Sequence, residues 1–533
     1  MRARDDTPKA APPPERNGDG VISVAVALAA FAAYLFLAPP VSGDRDSSEF
    51  TVVLAANGVA HPTGYVLYTV LGHGFVAALR ALGAPGAWAA NAFSALGGGV
   101  AMGLLHATAA RFAATSRVLG TPARTALPLV CVALIALGPA WTQVTTVAEV
   151  YSWHVAWALA LTWLAVGRLL GPGAPDVREH VVWGVLVGAG LAHHATSVFF
   201  SVPLTAAYLL ESVPARERRG ALVRVLTAAA MLPVACAVWL WLHAGHDGPG
   251  IWRTLGPGWA GVWAHVSAAQ YAGHFGRFAP EPLDRALIER HVFPPLFAGL
   301  AALVLAWALT PGGRARAVLA VLLGIASAQA LFAFGYGVED PSAYFLPALV
   351  LGVLALAPLA CALTALRGAG VVAARSLVGV AALAALPGLA TGWRTAVEAR
   401  ATFVGLDAFV HEQWERIPIE RGIVFWPRDL HQRLIEYQLL RGEKPGLEIW
   451  NPRMLTHPEA KRRFFARHGF DPVGDLRLRA EDVRGGAAAP GGRAFAIAVA
   501  ERVNERTALP VVLFEPEIPA VTVLPERPAG NVR

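Results

Sequence analysis

Apolar stretches recur along this chain at intervals of about 25–40 residues, and each is near the ~20 residues an α-helix needs to cross ~30 Å of hydrocarbon. Barrel strands would alternate apolar and polar residues with a period of two, and these stretches do not. The spans read as 21–40, 87–110, 125–142, 149–170, 181–197, 198–212, 222–243, 291–310, 317–335, 343–366 and 371–393, about eleven in all. The pair at 181–212 is the least clearly divided, because its halves are short and Pro203 lies between them. Composition points the same way. The chain is 55% hydrophobic and only 15% charged, less charge than the solvated surface of a soluble chain this long carries. The reading is an α-helical polytopic membrane protein.

The net charge of +7 is not a nucleic-acid signature, and no nucleic-acid partner is expected. Arginines gather in short loops between spans, where the positive-inside rule wants them. Residues 1–20 are polar, with an Ala-Pro-Pro-Pro run, and read as a disordered cytoplasmic tail. The apolar run after them is too long for a signal-peptide core and reads as the first span. With the N-terminus inside, Arg111, Arg117 and Arg124 fall on the cytoplasmic side. So do Arg168 and Arg178, the group Arg216, Arg218, Arg219 and Arg224, and the pairs Arg314/Arg316 and Arg367/Arg375. An odd number of spans then places residues 394–533 outside the plasma membrane. Charge rises there, and strands at 422–426, 447–450 and 509–514 with helices at 429–441 and 494–505 suggest a small α/β extracytoplasmic domain. It has no phosphate loop, zinc spacing or nucleophile elbow, so no catalysis is expected of it. Cys131, Cys236 and Cys361 fall in apolar spans and imply no disulfide framework.

The first outer loop, 41–86, is out of keeping with a simple connection. It packs Asp44, Arg45, Asp46, Glu49 and His61 between two apolar spans, and charge at a membrane boundary is costly enough to suggest chemistry. Within it, 48–57 and 65–82 suit short interfacial helices, with His61-Pro62 and Gly64 as the turn between them. The assigned topology puts four more polar motifs on the same face: Glu149-Val-Tyr151, His193-His194, His265 through Gln270 and Tyr271, and Glu339-Asp340 with Tyr344. Such convergence is how a site built from loop ends looks.

Each residue also has a plainer reading. Asp46 and Glu49 suit a solvated loop end or an N-cap, and His61 a turn before proline. Glu149 suits a helix-start carboxylate favoured by the helix dipole. His193 and His194 point about 100° apart on a helix, so only one of them readily faces a ligand. Gln270 and Tyr271 suit the cap of an interfacial helix beside Trp259 and Trp263, and Glu339-Asp340 an ordinary exposed loop. No metal site is assigned, since no i, i+4 His/carboxylate pair accompanies the histidines. A divalent cation stays open.

On Asp46-Ser-Ser-Glu49-Phe followed by His61-Pro-Thr-Gly-Tyr65 and Leu67-Tyr68, the chain resembles the bacterial protein O-mannosyltransferase-like group of GT-C membrane glycosyltransferases. Val147-Ala-Glu-Val-Tyr151, Gly190-Leu-Ala-His-His194, Trp263-Ala-His265 through Gln270-Tyr271, and Glu339-Asp-Pro-Ser-Ala-Tyr344 continue the pattern in order. Ile435-Glu-Tyr-Gln438, Arg441-Gly-Glu-Lys-Pro445 and Asn451-Pro resemble the group's tail. The doubled histidine at 193–194 and Thr63 depart from the pattern, where Asn-His and a second proline are usual.

The resemblance implies a GT-C-like fold and transfer of a sugar, with mannose the first expectation. The donor would be a polyprenyl-phosphate sugar and the acceptor a hydroxyl of a protein or glycan, at the outer face of the bilayer. A hydroxyl attacking an anomeric carbon must lose its proton, so a carboxylate base is needed. Asp46 is the first candidate and Glu49 the second. Spaced i, i+3 they share a helix face, where like charge raises one pKa. The departing phosphate needs cationic or hydrogen-bonding partners, and Arg45, His193, His194 and His265 are available. His61, Tyr65, Glu149, Tyr151, Gln270, Tyr271 and Tyr344 complete the expected substrate-binding set.

The alternative is a polytopic transporter or lipid-linked sugar flippase without transferase activity. Its charges should lie near the membrane midplane, in broken helices of repeated halves, and the chain shows no internal repeat. A scaffold that merely presents the C-terminal domain leaves the loop carboxylates unexplained.

Overall fold

The computed structural model describes residues 17–533 apart from 117, 277, 279, 339, 367, 427–430, 478–489, 516–519 and 525–533. The chain begins with α1 (Asn17–Leu37), α2 (Ser47–Ala56), α3 (Val66–Ala81) and α4 (Gly86–Ala114), followed by α5 (Thr121–Ala133), α6 (Pro139–Thr145) and α7 (Tyr151–Leu170). Next come α8 (Val177–His193), α9 (Val198–Ala207), α10 (Arg218–His243), α11 (Gly258–Val266), α12 (Pro282–Leu287), α13 (Phe293–Leu309) and α14 (Gly313–Gly335). Then α15 (Leu346–Leu354), α16 (Leu356–Thr364) and α17 (Ala369–Glu415) lead out of the apolar part.

Among the described residues, eight helical stretches are long and apolar enough to cross a membrane. They coincide with eight of the eleven expected spans. The other three are helical but shorter. Span 125–142 is split into α5 and α6, with Gly138 extended before Pro139. Spans 181–197 and 198–212 become the 17-residue α8 and the 10-residue α9, the latter running on as a wider turn through Tyr208–Ser212. Two boundaries move. Residues 17–20, expected in the tail, already belong to α1, whose first turn carries Asp19, a favourable sign at a helix N-terminus. Residues 1–16 lie outside the described residues. The start of the C-terminal unit, expected at 394, falls inside α17, a continuous helix of 47 residues.

α4 is the hub: it packs against α1, α5 and α7, and it also touches α2 and α3. Its approach to α1 depends on glycines. A Cβ at Gly99 would lie 2.7 Å from the Ala27 carbonyl oxygen, and one at Gly103 would lie 2.8 Å from Ala27 Cβ. This small-residue seam at i, i+4 lets two backbones meet in the way small-xxx-small motifs do in lipid, where packing rather than hydrophobicity must hold helices together.

The C-terminal unit is the expected α/β module. β1 (Arg421–Phe425), α18 (His431–Arg441), β2 (Gly446–Trp450), α19 (Pro458–His468), α20 (Pro490–Arg506), β3 (Val511–Glu515) and β4 (Ala520–Val523) follow α17. The sheet order is β2-β1-β3-β4, with β1 parallel to both neighbours and β4 antiparallel to β3. Parallel strands must be covered on both faces. Ile423 and Phe425 pack with Phe464 and Val499 on one side. Val424 and Trp426 pack on the other with Leu434, Tyr437 and two residues of α17, Val410 and Trp414.

Candidate active site

α2 begins after the nine residues 38–46 that follow α1, in the loop that joins α1 to α4. Asp46 stands at its N-cap position, yet the Asp46 side chain makes no capping bond. The plain reading of Asp46 as a helix cap therefore fails. Its carboxylate faces His61 instead, with Oδ2 3.9 Å from Nε2. Glu49, in the first turn, accepts the His61 backbone amide at 2.7 Å, and its Oε1 lies 3.0 Å from His61 Nδ1. The two carboxylates differ in access. The Asp46 side chain keeps 43% of its surface open, that of Glu49 only 5%. The i, i+3 spacing thus brings both acids onto one imidazole, as the helical reading required.

The backbone around them is unusual. Arg45 and Tyr65 adopt left-handed φ values of 56° and 44°, sparsely populated for residues with side chains and often found where function demands them. Arg45 is held by Asp284 at 3.4 Å and Asp340 at 3.2 Å. Tyr65 packs edge-on against His61 and Phe50 at centroid distances of 5.2 and 5.7 Å.

Electrostatics follow from this crowding. Burial pushes the Asp46 carboxyl above its usual range, and Glu49 adds to the rise against the pull of His61 and Arg45. Burial alone would lower His61, but Glu49 and Asp46 outweigh it and carry the imidazole up to about 10. Asp340 is raised to about 7, chiefly by burial, with Arg45 opposing. Glu149 is raised by burial and by the charges of Asp46 and Asp340. Because the folded His61 holds its proton more tightly than a free imidazole, its contribution to stability is full below about pH 6.5 and is lost as pH rises through about 10. Thermal midpoints measured from pH 7 to pH 10.5 are expected to fall in the parent protein and to fall less in His61→Gln. Parallel curves would rule out the His61 pairing.

The remaining predicted residues divide. Tyr151 and Tyr344 meet at 5.4 Å, and His194 stands 5.6 Å from both Tyr151 and Tyr65. These side chains form one aromatic cluster next to the carboxylates. His194 bonds Thr196 through Nδ1 at 2.8 Å, while its buried Nε2 has no partner among the described residues. His193 turns away, bonding the Val150 carbonyl at 3.2 Å. The adjacent histidines therefore split into one joining the cluster and one fixing the start of α7. Glu149 sits beside them, its backbone held on both sides by the Ser94 hydroxyl at 2.9 Å.

His265 bonds the Ala60 carbonyl at 3.0 Å and braces the turn before His61. That bond supports the turn that carries His61. Tyr271 is close enough for Asp46 and Glu49 to raise its hydroxyl pKa, burial being the larger cause. Gln270 is exposed and accepts a bond from Thr254 at 3.1 Å, so the structure does not bring it to the carboxylates. Glu339 lies outside the described residues.

Sequence reasoning missed Asp284 and Trp252. Asp284 is buried, pairs with Arg45, and accepts the Ser342 amide at 3.2 Å. Trp252 packs edge-on to His61 at 5.8 Å. The one available signal for Asp284 was its company: an acid heading the apolar run of α12 and α13. The side-chain ligand atoms of Asp46, Glu49 and His61 lie within 4.8 Å of one another, as a cation site requires. A cavity of about 360 Å³ opens behind Glu49, between α2, the 247–253 loop and the C-terminal unit, with Trp252, Arg253, Gln432 and Glu448 in its wall.

Residues 46–217 match the family model described as the protein O-mannosyl-transferase TMEM260 N-terminal domain. No curated protein matches the chain. Among solved structures, ArnT from Cupriavidus metallidurans bound to undecaprenyl phosphate is similar at 14% identity and a TM-score of 0.50, covering 81% of this chain and 86% of its own. The Archaeoglobus fulgidus oligosaccharyltransferase tethered to an acceptor peptide is similar at 14% identity and a TM-score of 0.50, covering 92% of this chain and 69% of its own. At such identity the likeness is one of fold, and the fold is the one that ArnT and the oligosaccharyltransferase share with this chain. The family match begins at Asp46 and spans the motifs from the loop through His193-His194, which supports the resemblance to protein O-mannosyltransferases over that stretch.

Proposed function

We propose that this chain is a membrane glycosyltransferase that moves a sugar, mannose first among candidates, from a polyprenyl-phosphate-linked donor to an acceptor hydroxyl at the outer face of the membrane. One observation carries the reading. Asp46 offers an accessible carboxylate that caps nothing, set against a charged imidazole. The acceptor hydroxyl gives its proton to Asp46 as its oxygen attacks the anomeric carbon. The bond from that carbon to the phosphate oxygen breaks, and the lipid phosphate departs with the electron pair. His61, kept protonated by Glu49, pulls on the Asp46 carboxylate against the rise that burial and Glu49 impose. The partly accessible Arg45 guanidinium and the unpartnered Nε2 of His194 are the groups available to the departing phosphate.

The acceptor, a protein or glycan, enters by the cavity behind Glu49, whose wall mixes an aromatic ring with amide and guanidinium groups. The lipid tail lies between apolar spans. A divalent cation, where one binds, is held by Asp46, Glu49 and His61 and supplies positive charge in place of the His61 proton. The test is release of lipid phosphate from polyprenyl-phosphate-mannose by purified protein, with Asp46→Asn and Glu49→Gln alongside. Unchanged release in both variants would sink the assignment.

The N-terminus lies in the cytoplasm and the C-terminal unit outside the plasma membrane in this reading. Glu420, exposed just beyond α17, provides the check. A cysteine placed there is expected to react with a membrane-impermeant maleimide in intact cells. Reaction only after lysis would reverse the topology.

A further inference from the structure

The Ser42–Gly43 backbone, from which the carboxylate loop starts, is gripped by the C-terminal unit. Arg433, on α18 and fully buried, donates through Nη2 to the carbonyl oxygens of Ser42, at 3.1 Å, and Gly43. Its Nη1 donates to Asp407 of α17 at 3.0 Å, and Tyr437 donates to the same carboxylate at 2.9 Å. Glu436 accepts the Ser42 hydroxyl at 2.6 Å. The grip continues into α2. Ser48 and Ser42 hydroxyls meet at 2.9 Å, and the Gly43 amide donates to the Ser47 hydroxyl at 2.8 Å. Ser47 and Ser48 directly follow Asp46.

We infer that the C-terminal unit is a positioning element of the carboxylate site, with Arg433 and Glu436 fixing the segment that sets where Asp46 stands. This rests on the reading of Asp46 as the base. Docking alone does not call for such a device. A buried ion pair contributes little stability compared with apolar packing, and its best-attested use is to fix one geometry. The planar guanidinium fork suits that use, because it sets direction as well as distance. The contacts also join residues about 390 positions apart in the chain, so two separate folding units agree on the place of one loop.

The test pairs hydrogen exchange with kinetics in the full-length protein. Glu436→Leu removes the acceptor from the helix side. Ser42→Ala removes the same bond from the loop side without touching a buried charge, and it serves if Glu436→Leu folds poorly. Amides of residues 43–49 are expected to exchange about tenfold faster in both, while those of α18 keep their protection. With a misplaced base, kcat is expected to fall about tenfold or more while the donor KM stays near that of the parent. Glu436→Gln keeps an oxygen for Ser42 and is expected to restore most of both.

Unchanged exchange in the loop overturns the inference, and so does faster exchange with kcat unmoved. A parent protein that turns over no lipid-linked sugar overturns the transferase reading instead, and the exchange rates still decide whether the grip exists.

Discussion

Asp46→Asn is expected to lower kcat by about 10²–10⁴, the range that a positioned general base contributes, and to move the thermal midpoint much less than Glu49→Gln does. The two halves of that result come from different facts. Asparagine has the shape of aspartate but cannot accept the acceptor's proton, so the chemical step suffers. The Asp46 side chain makes no capping bond, and asparagine is itself a good N-cap residue, so α2 loses nothing. Glu49→Gln should behave differently. Glu49 is nearly enclosed and holds His61 through both the backbone amide and Nδ1. The glutamine oxygen can still accept a bond, but the charge that holds the proton on His61 is lost, which should lower stability and turnover together. An Asp46→Asn protein that keeps more than about a tenth of the parent kcat places the base elsewhere.

Replacing Gly99 and Gly103 together by valine is expected to produce the largest loss of stability. Each added side chain would drive into α1, against the Ala27 carbonyl and the Phe31 Cβ in one case and against Ala27 Cβ in the other. Over-packing of this kind costs about 1–3 kcal/mol per site when neighbours can adjust. Here the neighbours include backbone, which adjusts poorly. Gly324→Val is the control, because a Cβ there meets nothing within 4 Å. The thermal midpoint in detergent should drop sharply for the double variant and hardly move for the control. Equal behaviour of the two would show that the seam does not hold α1 against α4.

The site was legible where its signal was local. Asp46, Glu49 and His61 announced themselves as charge placed between apolar spans. The divergence of His193 and His194 was expected of a helix, whereas His194 has extended backbone just past the end of α8. Which histidine joins the tyrosines was not legible, because that depends on where Tyr65, Tyr151 and Tyr344 arrive from three other segments. Asp284 was invisible for the same reason: its contact with Arg45 spans 239 residues. The break between α5 and α6 could have been read from Gly138-Pro139, since the residue before a proline avoids the helical region. The length of α17 is not legible from charge: the rise after 394 reads as the end of a helix, yet charge does not stop one. Arg394 and Glu398 instead form an i, i+4 pair at 3.8 Å on its surface, of the kind that supports an exposed helix.

α17 has a mechanical consequence. Its interior proline is Pro387, so bending is favoured there and the stretch beyond runs on unbroken to Glu415. Asp407 lies about twenty residues past that point, roughly 30 Å along the helix axis. The helix is thus a lever whose short end sits in the last membrane span and whose long end bears on Arg433. A swing of about two degrees at Pro387 carries Asp407 through about 1 Å, more than a hydrogen bond tolerates. A bend at Pro387 would therefore reach the seat of the carboxylate loop through Asp407 and Arg433.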